Sequence, residues 1–180
     1  MVSDEILVRR LKAPATREQA FRELVSQYKE RLYWHIRRTV IDHEDTDDVL
    51  QNTFIKIYRN IDKFKEESSL FSWMYRIAIN ESITFLNAKA KRKGLDNGEL
   101  QESLVANLHA DTYFSGDDVQ LKLQQAIATL PEKQKLVFNM KYFEGITYEE
   151  MSGILDTSVG ALKASYHHAV KKIEHFLTGD

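Results

Sequence analysis

The chain has 180 residues, 43% apolar and 29% charged, with seven glycines, two prolines, no cysteine and a formal charge of −2. That composition suits one ordinary domain or two small ones of the soluble globular class, and the missing cysteine excludes disulfide scaffolds, cysteine-ligated zinc, iron–sulfur clusters and thiol nucleophiles. No segment approaches the roughly 18 apolar residues of a membrane span, and MVSDEILVRRLKAP carries acids where a signal peptide has bases, so the expected location is cytoplasmic.

A near-neutral total argues against a nucleic-acid partner only until the charges are placed. Residues 1–93 hold 18 Lys and Arg against 14 Asp and Glu, residues 94–118 hold six acids and no base, and residues 119–180 hold seven of each. An acidic middle therefore separates two blocks that can each carry a basic face.

In chain order, Thr16 opens the first expected helix, with a capping box to Gln19 and apolar positions Phe21, Leu24, Val25, Tyr28, Leu32 and Ile36 at helical spacing. The second opens in the acids Asp42, Glu44, Asp45, Asp47 and Asp48, which suit a positive helix N-terminus, and runs through Leu50, Phe54, Ile57 and Ile61. A third starts at Ser68 or Ser69, with Leu70, Trp73, Met74, Ile77, Ala78 and Phe85 inward and Ser72, Tyr75, Arg76, Ile79, Asn80 and Ile83 outward. These three make a first domain over residues 14–92. Residues 93–118 read as an acidic linker with a short helix near Leu104–Leu108.

The second domain, 119–178, holds four helical segments. Val119–Thr129 is followed by a helix opened by Pro131 and carrying Leu136, Val137, Met140 and Phe143. Thr147 and Glu150 form a capping box for a short helix, and Ser158 caps a last one with the stripe Val159, Leu162, Tyr166, Ala169, Ile173 and Phe176. A short helix, a tight turn and a longer helix with one apolar stripe is the arithmetic of a helix-turn-helix, and equally of a plain helical hairpin. The face opposite the stripe holds Gly160, Lys163, Ala164, His167, His168 and Lys171, whose small and basic groups suit close approach to phosphates and base edges. Taken singly, Trp73 reads as a core residue and the tail Lys89, Lys91, Arg92 and Lys93 as a solvated helix end. With Arg76 and Asn80 they suit a surface that stacks unpaired bases.

The ordered set TDDVLQNTFIKIYRNI, FKEESSLFSWMYRIAINESITFLNAKAKRK and LPEKQKLVFNMKYFEGITYEEMSGILDTSVGALKASYHHAVKKI resembles the bacterial RNA polymerase sigma factors of the small extracytoplasmic-function group, over about residues 15–178. The resemblance implies an all-α chain of two small helical domains, region 2 and region 4, joined by the acidic linker. It implies that Asp45, Asp47, Asp48, Gln51, Asn52 and Phe54 dock on core polymerase, whose basic coiled coil suits an acidic, apolar face. Phe64 through Ser69, including Ser68, would capture a flipped base of the −10 element, while Trp73, Tyr75, Arg76 and Asn80 read and melt it and Lys89, Lys91, Arg92 and Lys93 hold phosphates. Lys141, Thr147, Ser158, Gly160, Lys163, Ala164, His167, His168 and Lys171 would read the −35 element in the major groove.

The linker would thread the polymerase channel; the 25 residues of its acidic segment 94–118 extend at most about 85 Å, beyond the roughly 70 Å of two DNA turns. Ser165, His168 and Val170 stand where the family often has arginine, which implies weaker or different −35 specificity. Expected partners are core polymerase, promoter DNA and an anti-sigma factor, often membrane-bound, with no membrane insertion and no small-molecule substrate. Nothing matches a P-loop or dinucleotide fingerprint, so no enzyme activity and no cofactor are expected. No metal is expected either, because His167 and His168 diverge on their helix and His175 lies two turns away. Two other readings compete: a homodimeric helix-turn-helix regulator of duplex operators, and an adaptor that grips polymerase through residues 45–54 without reading DNA.

Overall fold

The computed structural model describes residues 1–108 and 117–179, and every regular element in them is helical. In order these are α1 (Asp4–Lys12), α2 (Arg17–Val40), α3 (His43–Asn60), a 3₁₀ turn at Ile61–Lys63, α4 (Leu70–Lys93), α5 (Asn97–Ala106), α6 (Asp118–Ala128), α7 (Glu132–Tyr142), α8 (Tyr148–Leu155) and α9 (Val159–Thr178). The chain divides into two compact units, Met1–Phe85 and Leu86–Asp180, with the division inside α4.

In the first unit, α2 buries Leu24, Tyr28, Leu32 and Ile36 from the expected stripe, and α3 buries Val49, Phe54 and Ile57. Asp42 caps α3 by accepting from the Asp45 N–H at 2.9 Å, after Ile41 has broken α2 with φ of 71°. Helix α1 is an addition to the expected set. It buries Leu7, Val8 and Leu11 and is tied to α2 by a two-pronged bond from Arg10 to Glu23 at 2.6 and 2.9 Å, which lowers the Glu23 carboxyl pKa. That helix also changes the start of α2. Thr16 forms no capping box with Gln19; its hydroxyl donates instead to the Arg10 carbonyl at 2.8 Å, because α1 places an acceptor within reach.

Helix α4 differs from its expected orientation. Tyr75 and Ile79, placed outward by the sequence pattern, are buried with Leu70, Met74, Ala78 and Ser82, whereas Trp73, Ile77 and Phe85 are only half-buried. The cause is a ring partner on α2: His35 stacks on Tyr75 with centroids 3.7 Å apart, and Phe71 closes the cluster against Tyr75 and Tyr28. Rotating these rings inward turns the opposite stripe of α4 to solvent.

In the second unit, α6, α7 and α9 share a core of Ala126, Ile127, Leu130, Phe138, Ala169 and Ile173. Pro131 is the N-cap of α7, just before its first turn. Phe176 ends the α9 stripe exposed. Helix α5 lies in the expected linker, starting earlier than the short helix near Leu104–Leu108. A capping box between Asp96 and Glu99 opens it, and Leu100, Leu104 and Val105 are buried. Lys135 on α7 donates to the Gln101 side chain at 3.2 Å, and burial pushes its ammonium down to about 8. Ten helical residues rise only about 15 Å, so the extended reach requires α5 to unwind. The linker residues 109–116 lie outside the described residues.

Burial pushes the His35 imidazole down to about 3, with Arg38 adding to the effect. Between that value and 6.5 the unfolded chain binds a proton the folded chain refuses, so stability is full above pH 6.5 and is lost as pH falls. Thermal unfolding should show a loss of about 2 kcal/mol between pH 7 and pH 5, flattened in a His35→Phe variant.

Candidate functional site

Three surfaces carry the sequence-derived candidates. The first surrounds the loop between the 3₁₀ turn and α4. Phe64 is 4% exposed, its ring against Trp73 at 5.2 Å and its N–H bonded to the Ile61 carbonyl at 3.1 Å, so it is the floor of the loop rather than an exposed base contact. Residues 65–69 are exposed in succession, and Glu66 has φ of 60°, a left-handed conformation that side chains with a Cβ rarely adopt. Ser69 caps α4, its hydroxyl accepting from the Ser72 N–H at 3.1 Å.

Downstream, Arg76 and Asn80 are exposed one turn apart, and Ser72 and Trp73 are half-buried on the same approach. Tyr75 is 0% exposed and cannot share that face. Among the basic candidates, Lys89 is half-buried while Lys91, Arg92 and Lys93 are exposed in the last turns of α4, where cations suit the helix dipole.

The second surface is the outer face of α3. Asp47, Asp48, Gln51 and Asn52 are exposed and Asp45 is half-buried, but Phe54 is buried, with its ring edge-on to Phe21 at 6.3 Å. Ile55 and Tyr58, 41% and 40% exposed, continue the face one and two turns beyond Gln51. Neither is among the residues expected from the sequence to dock on core polymerase. The signal was present, since neither fits the buried spacing Thr46, Val49, Thr53, Ile57.

The third surface is built by α8 and α9. Both bonds of the Thr147–Glu150 capping box form, at 3.2 Å each. Asp156 turns the chain in the left-handed region, φ 50° and ψ 49°, and Ser158 accepts from the Ala161 N–H at 3.2 Å to start α9. Burial of Leu162, Ala169 and Ile173 leaves Gly160, Lys163, Ala164, His167, His168 and Lys171 exposed together, flanked by exposed Thr147 and Ser158. Lys141 is half-buried. Its ammonium lies 4.7 Å from the Tyr148 ring centroid, and that of Lys163 lies 5.8 Å from the same ring. Tyr148, which is not among the residues expected from the sequence, thus gathers cations from two helices by cation–π attraction. Its ring also meets Tyr166, whose hydroxyl pKa is raised by burial and by its tyrosine neighbours. Among the described residues, no three of His, Asp and Glu converge as a metal site.

Comparison with known proteins matches residues 24–92 to Sigma-70 region 2 and residues 120–173 to Sigma-70, region 4. The ECF RNA polymerase sigma-E factor of Haemophilus influenzae is 30% identical over 97% of this chain and 95% of its own length. Its Escherichia coli counterpart is 27% identical over 97% and 94%. Among solved structures, CnrH in complex with the cytosolic domain of CnrY superposes with a TM-score of 0.72 at 21% identity, covering 98% of each chain. The sigma factor RpoE of Bartonella quintana, in complex with the anti-sigma factor NepR, gives 0.67 at 18% identity, covering 89% of this chain and 98% of that one. At those identities the two structures establish a shared fold.

Gly160 offers a test of the exposed α9 face. A Cβ there would meet nothing within 4 Å, so the glycine is not required by packing. Gly160→Ala, in the first turn of α9, should raise stability to denaturant by less than the about 0.5–1 kcal/mol of a mid-helix position. If the bare backbone serves close approach to a DNA groove, the same variant should bind duplex more weakly despite being more stable.

Proposed function

The chain belongs to the extracytoplasmic-function group of the sigma-70 family, and on that premise we propose how its own residues perform promoter recognition. Core polymerase docks on the α3 face formed by Asp47, Asp48, Gln51, Asn52, Ile55 and Tyr58. The acids suit a basic partner, while the two apolar side chains supply area to bury. The 64–69 loop takes an unpaired base of the −10 element, and Trp73, Arg76 and Asn80 line its approach. Flipping costs a few kcal/mol of stacking, which aromatic and guanidinium contacts offset. Lys91, Arg92 and Lys93, in the last turn of α4, hold phosphates.

The exposed face of α9 enters the −35 major groove. Lys141 and Lys163, drawn together by Tyr148, neutralise flanking phosphates, so position is fixed more by charge than by arginine-to-guanine contacts. The chemistry of RNA synthesis stays with the core enzyme, and the chain itself catalyses nothing. Work in the company of core polymerase implies a cytoplasmic location. An anti-sigma factor as regulator is supported by the fold shared with RpoE, which was solved in complex with the anti-sigma factor NepR.

The observation that carries this reading is the presence in one chain of the polar α4 stripe beside an exposed loop and a separately capped helix-turn-helix. It is tested by reconstituting core polymerase with the chain and following run-off transcription and permanganate reactivity of promoter thymines. A double change of Arg76 and Asn80 to Ala should leave core binding within about twofold and reduce open complex at least about tenfold, as loss of two base or backbone contacts requires. Undiminished melting would remove α4 from the recognition surface.

A further inference from the structure

The segment matched to Sigma-70 region 2 begins at residue 24, so α1 and its turn lie outside it. Yet α1 reaches the 64–69 loop. The Lys12 ammonium, at the last residue of α1, donates to the Phe64 carbonyl at 2.6 Å and pairs with the Glu66 carboxylate at 3.3 Å, lying 5.8 Å from the Phe64 ring centroid. Next to it, Arg17 donates to the Leu11 carbonyl at 2.7 Å and to Asp62 at 2.6 Å, joining the α1–α2 turn to the 3₁₀ turn that leads into the loop.

These contacts fall where the loop needs fixing. Phe64 is the last buried residue before five exposed ones, and Glu66 holds a left-handed backbone that an unrestrained side chain would tend to leave. A carbonyl at the end of the 3₁₀ turn and a carboxylate two residues on both favour a cation, and Lys12 meets both with a single ammonium. Its own anchor is firm, because Leu7, Val8 and Leu11 of α1 are buried.

We propose that Lys12 is a positioning residue for base selection: it sets the loop's shape from outside the matched region, so that α1 belongs functionally to the −10 reading surface. The inference rests on the reading of the 64–69 loop as a base-capturing loop. Lys12 touches no base; it determines which base the loop accepts by holding Phe64 and Glu66 in place.

The test uses holoenzyme reconstituted from core polymerase and the full chain, on a promoter found by mapping start sites on genomic DNA. Each non-template base of the −10 element is replaced in turn, and open-complex yield is read by permanganate. Wild-type holoenzyme should discriminate sharply at the captured position. Lys12→Met should reduce that discrimination by about fivefold, with core affinity and melting temperature held near wild type, and Lys12→Arg should restore it. Leu7→Ala, which loosens the anchor of Lys12, should lower the melting temperature and reduce discrimination in the same direction. Equal discrimination by Lys12→Met and wild type overturns the inference, as does a loss in Lys12→Met that Lys12→Arg fails to restore. A wild-type holoenzyme indifferent to every −10 base overturns the base-capture reading itself, and this inference with it.

Discussion

The first unit depends on how α4 divides its side chains between interior and surface. Leu70, Met74, Tyr75, Ala78, Ile79 and Ser82 are buried, and the stack of His35 on Tyr75 fixes the helix's rotation about its own axis. That rotation presents Arg76 and Asn80 to solvent, beside the end of the 64–69 loop. Polar groups carried on a helix whose opposite side is locked in a core are held more firmly than the same groups on a loop, and base recognition needs that firmness. The neutral imidazole at the centre is also a cost, since the stack is secure only while the ring stays uncharged.

The two units reach their surfaces by different routes, and this explains what was legible in the sequence. In the second unit the signals are local. The Thr147–Glu150 capping box, the Ser158 cap and the spacing of Leu162, Ala169 and Ile173 each act within one helix, so the pattern alone oriented α9 correctly. In the first unit the deciding contacts are long-range. Tyr75 reads as an outward aromatic until His35 supplies a ring forty residues upstream, and Thr16 reads as a capping residue until α1 offers it the Arg10 carbonyl. Phe54 and Phe64 were read as contact residues because motif matching marks positions, not the direction their side chains take. Tyr148 escaped notice because its importance lies in the lysines it draws from α7 and α9. Helix α5 was legible only as a short helix near Leu104–Leu108; linker-like composition hid its earlier start, although the Asp96–Glu99 capping box and the buried Leu100 are regular helical signals.

Charge follows the same division of labour. The near-neutral chain is a sum over parts with separate partners: a modestly basic first block, an acidic middle, and a balanced helix-turn-helix block. The exposed α9 face holds two lysines and two histidines in place of a row of arginines, so the grip on phosphates proposed for it is modest. The proposed −10 surface, the 64–69 loop with Arg76 and Asn80, would engage bases only once they are unpaired. Two weak grips become one strong one when a common scaffold holds both, because the second contact is then made at high effective concentration. Core polymerase, docked on the α3 face, is that scaffold in this account, and dependence on it is what separates the account from a free-standing duplex-binding regulator.

The most direct test is the affinity of the chain for a mapped promoter duplex, measured at one stated salt concentration with and without core polymerase. The account predicts negligible sequence-specific binding by the free chain, and protection of both the −35 and −10 elements once core polymerase is added. Tight, specific binding by a dimer of the free chain, unchanged by core polymerase, would contradict it.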